Sequence, residues 1–194
     1  MLRPRVFSRN ISSVSCDHDF VIPHNHPQLH TTSSTFYSSL LRWYGDHKKL
    51  QDGMCIHAHI MFHGFFHDVF LQGLLVQMYG KCGAMHEASH MFHRMLYPSP
   101  YAWNFIIRSC SQQGLCDVSL QLFQQMHQQA SIPDKFTYVS AFLACDVVEH
   151  LSYGKQMHAR ILNSEIECDC AIGTAIVGMY TNFGKPNEAM ASFD

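Results

Sequence analysis

The chain has 194 residues, 47% apolar and only 14% charged, with a formal net charge of −2. That suffices for one ordinary domain or a short solenoid with its own core, and it excludes a strongly basic nucleic-acid footprint. No run of about 18 uninterrupted apolar residues occurs, so neither a membrane span nor a membrane partner is expected.

The first segment differs in kind from the rest. In MLRPRVFSRNISSVSC, Arg3, Arg5 and Arg9 precede the first acid, Asp17, and apolar Leu2, Val6 and Phe7 lie among them. An acid-free stretch rich in Arg and Ser fits an organelle transit peptide, although Pro4 weakens any helix there. A disordered basic tail is the plainer alternative. The three arginines favour a mitochondrion, with a plastid as the alternative. Residues 17–33, DHDFVIPHNHPQLHTTS, contain proline and four histidines without helical periodicity and are read as a linker. The expected division is therefore leader and linker over 1–33 and a folded region over 34–194.

From residue 34 onward, apolar residues recur at helical spacing. Leu74, Leu75, Met78, Tyr79 and Cys82 form one face, Gly83 breaks it, and Met85, Ala88, Met91, Phe92 and Met95 form a second. Pro98 and Pro100 stop that helix. The unit is a helical hairpin. The plan recurs: Trp103, Ile106, Ile107 and Cys110, a turn at Gly114, then Leu120, Phe123 and Met126, with Pro133 at the end. A further pair follows in FTYVSAFLACDVVEHLSYGKQMHARILNSEIECDC.

A longer period underlies this plan. Met78/Met179, Tyr79/Tyr180, Gly83/Gly184, Glu87/Glu188, Ala88/Ala189 and Phe92/Phe193 are each 101 residues apart, as are Gly53/Gly154 and His57/His158. The superperiod divides into lengths of 35, 31 and 35 residues. Stacked helical pairs of this kind bury a continuous core that none could bury alone.

The chemical motifs fall away against the repeat. Gly80-Lys81 resembles a phosphate loop, but six residues separate it from Gly73, and Cys82 stands where Ser or Thr would hold magnesium. His86, His90 and His93 share a helix face off the Met91/Phe92 stripe and are expected to be a solvated face. His63 and His67 lack the glutamate of a zinc-protease motif. His57 and His158 recur at matching places, which suits packing. None of the eight cysteines forms a CxxC pair, so free buried thiols are expected. Cys168 and Cys170 form a CxC without a second half of a zinc site. On spacing alone, Asn104 after Trp103 and Asp134 after Pro133 read most plainly as helix caps.

Several of these stretches in order resemble the plant pentatricopeptide repeat family, in its subclass of alternating long, short and ordinary repeats. GLLVQMYGKCGAMHEASHMFHRM is similar to the short repeat, YAWNFIIRSCSQQG with SLQLFQQMHQQASIPD to the ordinary one, and LQDGMCIHAHIM and LSYGKQMHARIL to the long one. The resemblance covers about 34–194. It implies an all-α fold, a right-handed superhelical solenoid of helix-turn-helix repeats over about 34–68, 69–99, 100–134, 135–169 and an incomplete one over 170–194.

The resemblance also implies sequence-specific binding of single-stranded organellar RNA, one base per repeat, read by the fifth and last residues of each. For 100–134 these are Asn104 and Asp134, a pair implying uridine. Ser38 with Asp68 implies a purine, as does Thr174, whose partner lies beyond residue 194. Gly73 with Ser99 departs from the pattern, since Gly73 has no side chain to offer, and Val139 with Asp169 is uninformative. Relatives often carry a deaminase-like domain, whose zinc chemistry needs H-x-E and a later C-x-x-C. Neither is present, so no catalytic site and no cofactor are expected. The implied roles are RNA maturation or specificity in C-to-U editing, with other editing factors as further partners. Two alternatives stay open. One is a tetratricopeptide-like protein-interaction scaffold, whose repeats would be a uniform 34 residues. The other is a non-functional truncated fragment, whose cut last repeat would self-associate through Met190 and Phe193.

Overall fold

The computed structural model describes residues 33–145, 148–164 and 166–185. The leader expected over 1–33 lies outside them except for Ser33, as does the helix expected after Gly184. Among the described residues every regular element is helical. In chain order they are α1 (Ser34–Asp46), α2 (Leu50–Phe62), α3 (Val69–Lys81), α4 (Met85–His93), α5 (Pro100–Gln112), α6 (Cys116–Gln128), α7 (Lys135–Leu143), α8 (Leu151–Leu162) and α9 (Cys170–Asn182). Short 3-10 turns occur at Phe65–His67 and Val148–His150. The chain forms two compact units that divide after Met91, within α4.

Helix starts follow a rule. Ser33, Asp68, Ser99, Asp134 and Asp169 are the N-caps of α1, α3, α5, α7 and α9, and each side chain accepts a backbone N–H of the first turn. A short polar side chain there satisfies donors that the helix leaves orphaned. The caps of α2, α6 and α8, namely Lys49, Leu115 and His150, make no such bond. Instead α2 and α6 carry Asp52 and Asp117 in the first turn, where a negative charge suits the helix dipole. Gly83 and Gly114 turn the chain between paired helices at φ 76° and 72°, a left-handed conformation that favours glycine. Lys48 and Ala130 adopt it too, at φ 53° and 55°, without that freedom.

In the first unit α1 packs on α3, and α2 packs on both. The three helices converge on Met78, which is 0% exposed. A Cβ built on Gly45 would lie 3.2 Å from the Met78 Cα, and one built on Gly53 would lie 2.5 Å from its Sδ and 2.8 Å from its Cε. Gly53 is thus the hole that receives the Met78 knob. Buried His57 meets the Tyr79 hydroxyl through Nδ1 at 2.8 Å, tying α2 to α3, and Tyr37 OH meets His59 Nδ1 at 3.1 Å.

In the second unit α5 packs on α6 and α7, and α7 packs on α9. Trp103, Ile106, Ile107, Phe123, Met126 and Phe142 are buried. Their rings meet edge to face, Phe92 with Trp103 at 4.6 Å and Phe123 with Tyr138 at 5.3 Å between centroids, the arrangement that aligns ring edges with π faces. The 101-residue echo reappears in space: Gly154 faces Met179 more closely still than Gly53 faces Met78, and His158 Nδ1 meets Tyr180 OH at 3.2 Å. Both recurrent histidines therefore hold packing contacts between the second helix of one hairpin and the first helix of the next.

The remaining residues of chemical interest are also placed. Lys81 forms an ion pair with Asp46 at 2.5 Å, and Gly80 is buried inside α3. His86 and His93 are exposed, but His90 is half-buried, so only part of that face is solvated. The seven described cysteines are thiols and are not bridged in disulfides. Burial pushes the Cys110 thiol up to about 11. Cys168 and Cys170, however, are exposed rather than buried. Among the described residues no group of three or more His, Cys, Asp or Glu could hold a metal ion, and no helix is long and apolar enough to cross a membrane.

Candidate nucleic-acid interface

The capping aspartates do two jobs with two oxygens. Asp68 Oδ1 accepts from Phe70 N at 2.9 Å and Leu71 N at 3.2 Å, while Oδ2 accepts from Ser34 Oγ at 2.6 Å. Asp169 Oδ1 accepts from Ala171 N at 3.0 Å and Ile172 N at 3.1 Å, while Oδ2 takes the Lys135 ammonium at 2.9 Å. That lysine, and then the backbone N–H groups, hold the Asp169 carboxyl below its usual range. In both cases the second oxygen binds the first residue of the helix one hairpin back.

Asp134 follows the same plan with a different partner. Its Oδ1 accepts from Thr137 N at 2.9 Å, and its Oδ2 accepts from Asn104 Nδ2 at 2.8 Å. The corresponding first residue is Pro100, whose side chain has no donor. The oxygen is left to Asn104, one helical turn further along α5. Because a carboxylate only accepts, the amide must present nitrogen to Asp134. Asn104 Oδ1 in turn accepts from the Thr137 hydroxyl. The half-buried Asn104 amide keeps one N–H and one carbonyl lone pair unengaged at the protein surface.

The other expected positions are arranged differently. Ser38 donates to the Thr35 carbonyl at 2.8 Å and makes no bond to Asp68, which Ser34 holds instead. Exposed Thr174 donates to the Cys170 carbonyl at 2.6 Å. Both hydroxyls have spent their proton on their own helix and retain only acceptor capacity. Gly73 is buried, Ser99 caps α5, and Val139 is half-buried. Of the expected pairs within one unit, a hydrogen bond joins Asn104 with Asp134, Ser38 makes none to Asp68, and the Val139 side chain has no polar atom to offer Asp169.

An aromatic feature escapes a reading of helix stripes. Phe70, Tyr101 and Phe136 are each the second residue of α3, α5 or α7, and are 50%, 70% and 61% exposed. An Arg42 guanidinium lies 5.9 Å from the Phe70 ring centre, and the Lys135 ammonium lies 5.4 Å from that of Phe136. Tyr101 precedes Asn104 by three residues, and Phe136 follows Asp134 by two. An unstacked base is held by a ring face to stack on and a hydrogen-bonding group to meet its edge. The signal available in the sequence was an aromatic residue off the buried stripe, two positions after a cap.

The family model described as "PPR repeat" matches residues 73–97 and 101–129. A mitochondrial pentatricopeptide repeat-containing protein of Arabidopsis thaliana is 30% identical over 196 aligned residues, covering 95% of this chain and 31% of the relative. A chloroplastic one from the same plant is 32% identical, covering 81% of this chain and 20% of the relative, and a second mitochondrial one is 29% identical with the same two shares. The chain thus spans a third or less of the length of these relatives. Helical hairpins, family model and relatives agree, and the chain belongs to the pentatricopeptide repeat family.

Proposed function

We propose that this chain binds single-stranded RNA in an organelle and reads one base at Asn104 and Asp134, with a preference for uridine. The observation that carries this reading is the 2.8 Å hydrogen bond from Asn104 to Asp134. It presents a fixed amide edge to solvent, and uracil offers a matching donor and acceptor on its Watson–Crick edge. Tyr101 and Phe136 supply stacking surface, worth about 1–3 kcal/mol per base where such stacking is made. Family membership supports RNA as the ligand, and the mitochondrial and chloroplastic names of the relatives support an organelle, with the mitochondrion preferred. In the repeat register 34–68, 69–99, 100–134, 135–169 and 170 onward, Ser38, Asp68 and Thr174 form weaker positions that accept but do not donate.

Affinity is low in this account. Residues 35–194 hold ten Lys/Arg against thirteen Asp/Glu, so little phosphate attraction is available. The role is RNA maturation, or specificity in C-to-U editing with the chemistry supplied by another factor. The test is a pool of short single-stranded RNAs bound at low salt to the wild type and to Asn104→Thr, then sequenced. The wild-type pool should enrich U at one position, and the variant should shift it toward G. Identical pools, or no retention of RNA by the wild type, would remove the reading.

A further inference from the structure

We infer that Thr137 is a positioning residue for base selectivity: its buried hydroxyl orients the Asn104 amide, and the identity of the base accepted at that position depends on it. The inference rests on the RNA reading above.

Thr137 is 0% exposed and stands in the first turn of α7. Its backbone N–H and the Asp134 Oδ1 form half of a capping box at 2.9 Å, and its hydroxyl oxygen accepts from Asp134 N at 3.2 Å. So far this is ordinary helix capping. The hydroxyl also has one proton, with two acceptors in reach: Asp134 Oδ1 at 2.9 Å and Asn104 Oδ1. Asp134 Oδ1 already receives the Thr137 N–H. Asn104 Oδ1 has the Thr137 hydroxyl as its donor. Asp134 Oδ1 keeps that N–H whichever way the hydroxyl turns, whereas Asn104 Oδ1 would face a hydroxyl oxygen with no proton between them unless the hydroxyl turned to it, so the proton goes to Asn104.

The amide is then held at both ends, nitrogen against the Asp134 carboxylate and oxygen against the Thr137 hydroxyl. One bond alone fixes which end faces Asp134 but leaves the plane free to turn. Two bonds fix the plane, and with it the direction of the unengaged N–H and lone pair that would meet a base. The other caps supply a comparison within the same molecule. The residue three after Asp68 is Leu71, and three after Asp169 it is Ile172; neither has a hydroxyl, and at neither does the fifth-position side chain join the cap. The three-way linkage occurs where Asn, Asp and Thr coincide.

The test uses the full chain with Thr137→Val, which removes the hydroxyl at nearly constant shape, and Thr137→Ser, which restores it. The Val variant should lose about fivefold in its ratio of U over purine, the equivalent of one net hydrogen bond, while Thr137→Ser keeps the wild-type ratio. Thermal midpoints are measured alongside. Loss of folded protein lowers the bound amount for every RNA alike and leaves the ratio unmoved, so a purely structural role is told apart. A second readout needs no RNA: nitrogen relaxation of the Asn104 side-chain amide should be rigid in wild type and Thr137→Ser and mobile in Thr137→Val. An amide equally rigid in Thr137→Val, or an unchanged base ratio in that variant, overturns the inference. A wild type without base preference overturns the selectivity claim together with the RNA reading, and the amide relaxation separates that failure from one of positioning.

Discussion

Replacing Gly53 with alanine should change the sign of its effect when Met78 is also shortened. In the wild type the added methyl would sit 2.5 Å from Met78 Sδ and 2.8 Å from Cε, over 1 Å inside the usual contact distance. Met78 is fully buried and its Cα is already approached by Gly45, so it must leave its rotamer rather than its place. Overpacking of this kind costs about 1–3 kcal/mol. Against it stands the gain of alanine over glycine in a helix interior, about 1 kcal/mol. Gly53→Ala alone should therefore be neutral to destabilising by about 2 kcal/mol. Met78→Ala alone should cost about 2–5 kcal/mol through lost burial and a cavity. In that background the new methyl enters vacated space, and Gly53→Ala should stabilise by about 1 kcal/mol. The coupling is then about 1–3 kcal/mol, measured by urea denaturation of the four proteins followed by circular dichroism. Additive effects, or a stabilising Gly53→Ala in the wild-type background, would refute the knob-and-hole account. Gly154 and Met179 offer the same cycle in the second unit.

Three further outcomes are expected. Burial holds the His158 imidazole below its ordinary 6.5, so the unfolded chain takes up the proton first; the stability His158 supports is complete above pH 6.5 and is lost as pH falls below it. Urea midpoints at pH 7.5 and 5.5 should differ less in His158→Gln than in wild type, and an equal difference would remove His158 from the account. Ala130→Gly should raise the midpoint by the equivalent of about 1 kcal/mol, because Ala130 sits at φ 55°; an unchanged or lower midpoint would refute the strain argument. Residues 1–40 fused to a fluorescent protein should label mitochondria. Diffuse cytosolic signal would reject the proposed leader, and plastid signal would reassign the compartment.

The hairpins were legible because their stripes are long and are broken by Gly83, Gly114 and Pro98. The turns at Lys48 and Ala130 were not, since nothing in either residue type announces a left-handed backbone. His57 and His158 could be assigned to packing from their recurrence, but their partners, 22 residues away on the next helix, depend on how helices face each other. Asn104 and Asp134 were legible as residues and ambiguous as roles. Capping and recognition looked like competing explanations because a sequence names a carboxylate without distinguishing its oxygens. Likewise Ser38 and Ser34 lie one turn apart on one side of α1, and only their geometry decides that Ser34 reaches Asp68.

The divided carboxylate limits how such a position can be rewritten. A residue that both starts a helix and faces a nucleotide must first be acceptable as a start. Side chains that accept from a backbone N–H within one turn are few: Asp, Asn, Ser and Thr. The chain's own choices, Asp68, Ser99, Asp134 and Asp169, all come from that set. A vocabulary written at the last residue of a repeat thus favours about four letters before any ligand is considered, since another residue gives up about 1 kcal/mol of capping. A designer who wants a fifth must accept that loss or move the cap elsewhere.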